Sequence, residues 1–109
     1  MELKRVVVTG LGAVTPLGLN VDETWEALLN GVSGAGPITH FDASQFKTQF
    51  ACEVKNFDPT LYLDKKEVRK FDRYAQFAVA AAKEAVGDSA LDLEKVDKNR
   101  VGVIFAAGI

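Results

Sequence analysis

Two segments of the chain, RVVVTGLG at 5–12 and VGVIFAA at 101–107, carry apolar residues on consecutive rather than alternate positions. Such runs, rich in β-branched residues and bounded by glycine, predict strands buried on both faces. Between them the period changes. In NVDETWEALLNG (20–31), Trp25, Leu28 and Leu29 form one apolar face. Asn20 and Glu23 have capping-box spacing, and Gly31 suits a left-handed turn at the end, so a short helix is predicted. The longest pattern is DKKEVRKFDRYAQFAVAAAKEAVG, with apolar residues at Val68, Phe71, Ala75, Ala78, Val79, Ala82, Ala85 and Val86. That spacing is close to 3.6 residues and predicts one continuous helix ending at Gly87. Tyr74, Phe77 and Ala81 widen its stripe, and four alanines within 78–82 leave room for a neighbouring backbone.

The remaining stretches read as connectors. AVTPLGLN (13–20) and the glycine-rich GVSGAGPITHFDASQF (31–46) are loops, and QFACEVKNF (49–57) alternates like a short edge strand. A turn follows at Asp58 and Pro59, and DSALDLEKVDKNR is a polar connector with one helical turn. Central-type strands separated by helices define an α/β protein with a parallel sheet. Two strands do not complete such a sheet, and an apolar strand at the last residues leaves an unpaired edge. The expectation is that residues 1–109 are the N-terminal portion of a larger domain whose remainder lies outside this chain. The competing expectation is a small domain with its last strand sandwiched inside.

Composition narrows the function. The 109 residues are 48% hydrophobic and 26% charged, with a net charge of −2. A dedicated nucleic-acid binder carries a clear basic excess, so that class is excluded. One cysteine cannot form an internal disulfide, which points to a reducing compartment and a cytoplasmic protein. The valines near the start are too few for a signal-peptide core or a membrane span.

TGLGAVTPLG invites a dinucleotide-binding reading, but the third glycine of that fingerprint is replaced by Thr15, followed by Pro16. The glycines are better read as permitting a sharp turn after a strand. Cys52 and His40 are the sole members of their types. Cys52 lies in a strand-like stretch with no helix start to activate it, and His40 sits at a loop exit suited to a backbone hydrogen bond. Both read as structural, and no metal set is recognised.

KKEVRKFDR is the informative stretch. Five of the thirteen basic residues fall between 65 and 73, and Lys66, Arg69, Lys70 and Arg73 have the spacing of one helical face. Asp64 and Glu67 have capping-box spacing, which places these cations in the first turns of the long helix. The helix dipole disfavours positive charge there by about 0.3–1 kcal/mol per residue. The placement therefore reads as an anion-attracting surface for an acidic partner, in preference to a solvated face.

RVVVTGLGAVTPLG, TWEALLNGVSG, HFDAS and DKKEVRKFDRYAQFAVAAAKEA together resemble the start of the β-ketoacyl-acyl-carrier-protein synthases. The similarity is greatest to the type II condensing enzymes of bacterial fatty-acid synthesis, with polyketide ketosynthases and their chain-length-factor-like subunits as close competitors. It runs over the whole chain in order. The resemblance implies a thiolase-like fold, layered α/β/α/β/α, in a homodimer. It implies elongation of an acyl chain by decarboxylative Claisen condensation with malonyl-carrier protein, through a cysteine nucleophile and two histidines. Those three lie beyond residue 109, so no catalytic residue is expected here. Cys52 falls where the family commonly has glycine, and His40 matches neither catalytic histidine. Lys66, Arg69 and Lys70, with Lys65 as a helper, match positions that dock the acidic acyl carrier protein. Ile109 matches a residue lining the acyl pocket. No cofactor of the chain's own is implied, since 4′-phosphopantetheine arrives on the carrier.

Overall fold

Helix α3, Arg73–Asp88, is the longest element of the computed structural model, which describes residues 1–108. The chain divides into two units, one formed by residues 1–12 with residues 59 onward, the other by Ala13–Asp58.

In the first unit α3 carries the most deeply buried side chain, Ala80 at 2% exposure, along with Gln76. The expected single helix is in fact two. Helix α2, Lys65–Lys70, stops at Phe71, and α3 starts after Asp72. Phe71 (φ −99°, ψ 133°) and Asp72 (φ −63°, ψ 159°) are both extended. The break thus falls inside an apolar period that continues in the sequence from α2 into α3. Inside α2 the expected capping box is present. Asp64 Oδ1 accepts from the backbone N–H groups of Lys66 (2.8 Å) and Glu67 (2.9 Å), and the Glu67 carboxylate accepts from Asp64 N–H. A 3-10 turn, Pro59–Leu61, contacts both helices, and Leu63 is buried beside it. The Lys83 ammonium donates to the Tyr62 carbonyl, tying the same turn to α3.

Helix α3 also continues past Gly87. Its cap is Ser89, whose hydroxyl donates to the Val86 carbonyl at 2.7 Å, and Ala90 (φ 52°) takes a left-handed conformation just beyond it. The polar connector that follows holds a single 3-10 turn, Lys98–Arg100.

The two predicted central strands are corrected. Among the described residues neither 5–12 nor 101–107 forms a strand, and Val6 (88%) and Ile104 (93%) are largely exposed. A strand is defined by its ladder, and among the described residues no neighbouring strand runs beside either segment. The apolar runs are real, but the parallel sheet they predict is not assembled by residues 1–108. What the start of the chain does instead is lie on α3. A β-carbon on Gly10 would overlap the Ala85 carbonyl and Ser89, and one on Gly12 would overlap the Ala81 carbonyl. The Leu11 N–H donates to the Asp88 carboxylate at 2.9 Å. The room left by the alanines is thus used. At Gly10 and Gly12 the chain makes no turn, and these two glycines serve close approach to α3, while Gly18 closes the turn at Thr15; among the described residues Gly31 is the glycine with positive φ.

The second unit begins with a turn in which Thr15 Oγ1 accepts from the N–H groups of Leu17 (3.1 Å) and Gly18 (3.2 Å). No helix opens at Thr15; the next one begins at Val21. Helix α1, Val21–Leu29, is capped by Asn20, whose Oδ1 accepts from Glu23 N–H at 2.8 Å. The return bond is displaced by one residue: Glu23 accepts from Leu19 N–H rather than from the cap. Gly31 (φ 65°) supplies the left-handed exit as predicted. The two-residue strands β1, Gly36–Pro37, and β2, Phe50–Ala51, pair antiparallel, so the predicted edge strand exists in short form. Phe41 and Phe46 meet edge to face at 5.8 Å, and Phe57 and Ala43 are buried. Lys55 donates to three carbonyls, those of Pro16 (3.3 Å), Gly34 (3.1 Å) and Glu53 (3.2 Å), pinning three loops together.

Candidate functional site: a cationic helix beside an apolar groove

Lys65, Lys66, Arg69 and Lys70 all lie on α2 and are exposed. Among the described residues none of these four cations is recorded in an ion pair. Spacings of three and four put Lys66, Arg69 and Lys70 on one face, with Lys65 four residues from Arg69. Arg73 is not part of that face. It belongs to α3, where its guanidinium stands 5.3 Å from the Phe77 ring centroid.

The break at Phe71 reverses one argument made from the sequence. Arg69 and Lys70 occupy the last turn of α2, where the helix dipole favours positive charge. They are not at the wrong end of a long helix, and the expectation of an electrostatically costly cluster fails for them. Lys65 and Lys66 remain in the first turn, which also holds Glu67. What the structure shows of the cluster is its exposure and, among the described residues, the absence of an ion-pair partner, not dipole strain. The short helix could have been read from FD at 71–72, since aspartate is a preferred residue before a helix.

Next to this surface, in the same unit, lies an open cavity of about 600 Å³ lined by Phe71, Tyr74, Ala78, Val86, Val103, Phe105 and neighbouring residues. Its lining is almost wholly apolar, and sequence reading did not single it out. The predicted pocket residue, Ile109, lies outside the described residues.

The remaining candidates are not assembled into chemistry. The Cys52 thiol is free and exposed. His40 Nε2 stands 3.8 Å from Glu53 Oε1, beyond hydrogen-bond distance, and among the described residues no backbone hydrogen bond of the expected kind is recorded for its imidazole. Glu53 also accepts from Thr39 Oγ1 (2.7 Å) and Thr39 N–H (3.0 Å). These bonds, side chain first, hold its carboxyl below the ordinary glutamate range, with His40 adding a smaller attraction. Among the described residues no group of three His, Cys, Asp or Glu side chains is placed to bind a metal ion. Among them, too, no helix is long and apolar enough to cross a membrane.

Fold and sequence place the chain in one class. It belongs to the β-ketoacyl synthase family, matching the N-terminal domain of that family over residues 3–109, and its fold is the thiolase-like fold of ketosynthases. Its relatives carry a narrower name. It is 53% identical to the 3-oxoacyl-[acyl-carrier-protein] synthase 2 of Coxiella burnetii over all of its 109 residues, which cover 26% of that protein. It is 46% identical to the protein of the same name from Synechocystis, again over the full chain and 26% of the relative. The chain thus spans about a quarter of the length of the curated relatives it matches. Among solved structures it resembles the ishigamide ketosynthase/chain length factor, with a TM-score of 0.74 and 39% identity over 83% of this chain and 22% of that one. It also resembles a type II polyketide ketosynthase, bound to the hexaketide and solved in complex with its acyl carrier protein. There the TM-score is 0.68, with 28% identity over 90% of this chain and 24% of that one.

Proposed function

We propose that this chain is the N-terminal part of a 3-oxoacyl-[acyl-carrier-protein] synthase that elongates fatty acyl chains by decarboxylative Claisen condensation with malonyl-carrier protein. The observation that carries this reading is the 53% identity, over every residue of the chain, to a protein of that name. Within the enzyme these residues supply scaffold, a docking surface and, through Ile109, part of the acyl-pocket wall. The nucleophile and the two histidines belong to the remainder of the domain, outside residues 1–109. The working enzyme is a cytoplasmic homodimer and holds no cofactor of its own, because the 4′-phosphopantetheine arm belongs to the carrier.

Docking is assigned to α2. Lys65, Lys66, Arg69 and Lys70 are exposed cations without an internal counter-ion among the described residues. An acidic carrier protein presents the complementary charge, and such a patch acts mainly on encounter rate and orientation. Support comes from the related ketosynthase whose structure includes its acyl carrier protein.

The test is a triple charge reversal, Lys66→Glu with Arg69→Glu and Lys70→Glu, in the full-length protein. The ratio of kcat/KM for carrier-linked donors to that for small-molecule thioesters should fall by about tenfold or more. An unchanged ratio would remove α2 from docking. The 109-residue chain alone is expected to show no condensation, and measured turnover would overthrow its assignment as scaffold.

A second reading is favoured by one observation, the 39% identity to a ketosynthase/chain length factor. In that reading the chain opens a polyketide ketosynthase or a catalytically silent partner subunit. The residue at the nucleophile position of the full-length protein separates a silent subunit from either enzyme, and the donor range separates the two enzymes.

A further inference from the structure

The side chain of Gln76 joins α3 to the end of α2. It is 6% exposed, and its Nε2 donates to the carbonyls of Val68 and Phe71, each at 3.1 Å. Both partners are carbonyl oxygens, which only accept, so the amide nitrogen must face them and the orientation of the group is fixed. The other end is left over. Among the described residues Oε1 is enclosed and accepts no hydrogen bond. A buried acceptor in that state costs stability, and an apolar side chain of similar length avoids that cost.

What the amide secures is the C-terminal end of α2. A helix of six residues does not hold its shape alone, and the carbonyls of its last turn have no intrahelical partner. The capping box holds the first turn, while the bonds from Gln76 hold the last. Phe71 and Asp72 between the helices are extended, so backbone helix bonds do not fix the angle there.

We infer that Gln76 is a positioning residue for carrier docking: its buried amide sets the direction in which α2 leaves α3, and so aims Lys66, Arg69 and Lys70 at the acidic partner. This rests on the docking reading of α2 given above. Long basic side chains search space freely, but the region they search is set by the backbone that carries them.

The experiment compares Gln76→Met and Gln76→Glu with the triple charge reversal, all in the full-length protein. The readouts are kcat and KM for carrier-linked donors, kcat/KM for small-molecule thioesters, and hydrogen exchange at the amides of residues 66–71. Gln76→Met should raise the carrier-linked KM by about three- to tenfold, lower the carrier-to-small-thioester ratio to match, and speed exchange in 66–71. Gln76→Glu should do so at least as strongly, since a carboxylate then faces two carbonyls. If the Met variant does not accumulate, Gln76→Asn, which keeps the donor on a shorter arm, should show a smaller rise of the same sign. An unchanged ratio, with both donors losing activity together, marks a merely structural glutamine and overturns the inference. A charge reversal that lowers the ratio while the Gln76 variants do not sinks the inference alone. A charge reversal without effect sinks the docking reading itself.

Discussion

Gly12 lies against the backbone carbonyl of Ala81 so closely that a β-carbon on the glycine would occupy the same space as that oxygen. The neighbouring contact is of the same kind, with Gly10 against Ala85, and Leu11 is tied to Asp88 between them. Gly12→Ala should therefore destabilise the protein by about 1–3 kcal/mol, the range for inserting volume where backbone cannot retreat. Gly87 provides the contrast. It sits in α3 with open space around a built β-carbon and without positive φ, so Gly87→Ala should be neutral or stabilising by about 0.4–1 kcal/mol. Urea midpoints of the two variants check this, and equal losses would refute the close-approach account.

Asp64 sets up the cationic helix. Its carboxylate satisfies two backbone donors of α2, and Glu67 returns one bond. Asp64→Ala should cost about 0.5–2 kcal/mol locally, while Asp64→Asn keeps most of the cap. In a six-residue helix the loss falls on the whole element. Amide exchange at Lys66 and Glu67 should speed up in the alanine variant, with weaker carrier affinity at the same time. Faster exchange with unaltered carrier affinity would separate the fold of α2 from docking.

Local features of this kind were legible in the sequence, because caps and left-handed turns depend on residues three or four apart. Asp64 with Glu67, Asn20 and Gly31 all behave as their spacing predicts. The alanine stripe of α3 was legible too, though its occupant, the backbone at Gly10 and Gly12, was not. Periodicity hid the break at Phe71, since apolar residues recur at helical spacing on both sides of the two extended residues. That single miss carried the dipole argument with it. That Lys65, Lys66, Arg69 and Lys70 share one helix was legible because it depends on short spacing, whereas the bonds from Gln76 to the Val68 and Phe71 carbonyls come from a polar residue inside an apolar stripe. The strands at 5–12 and 101–107 depend on neighbours across a sheet, and no local pattern supplies those.

Lys55 is a prediction about the second unit. One ammonium with three carbonyl partners in three separate loops is a charge-assisted clamp. Lys55→Met keeps the length of the side chain and removes the donors, and it should cost about 1–2 kcal/mol. Exchange should quicken around residues 16, 34 and 53 together. If only one of the three loops responds, the lysine is a local contact and not a clamp.

The bonds from Thr39 to Glu53 make the same unit sensitive to acid. Because they hold the Glu53 carboxyl below its ordinary pKa, the folded state binds fewer protons there than the unfolded chain does. Their contribution is complete above the unfolded glutamate value of about 4.3 and is lost as pH falls through the lower folded value. Stability should therefore decline on acidification from about pH 6 to about pH 3 with a component assignable to this residue. Thr39→Val removes the hydroxyl donor, the larger of the two causes, and should move the Glu53 titration upward while flattening that component of the slope. Carboxyl chemical shifts followed against pH in both proteins make the measurement. A Glu53 midpoint unmoved by the substitution would mean that the threonine hydroxyl is not what holds the carboxylate in its ionised form.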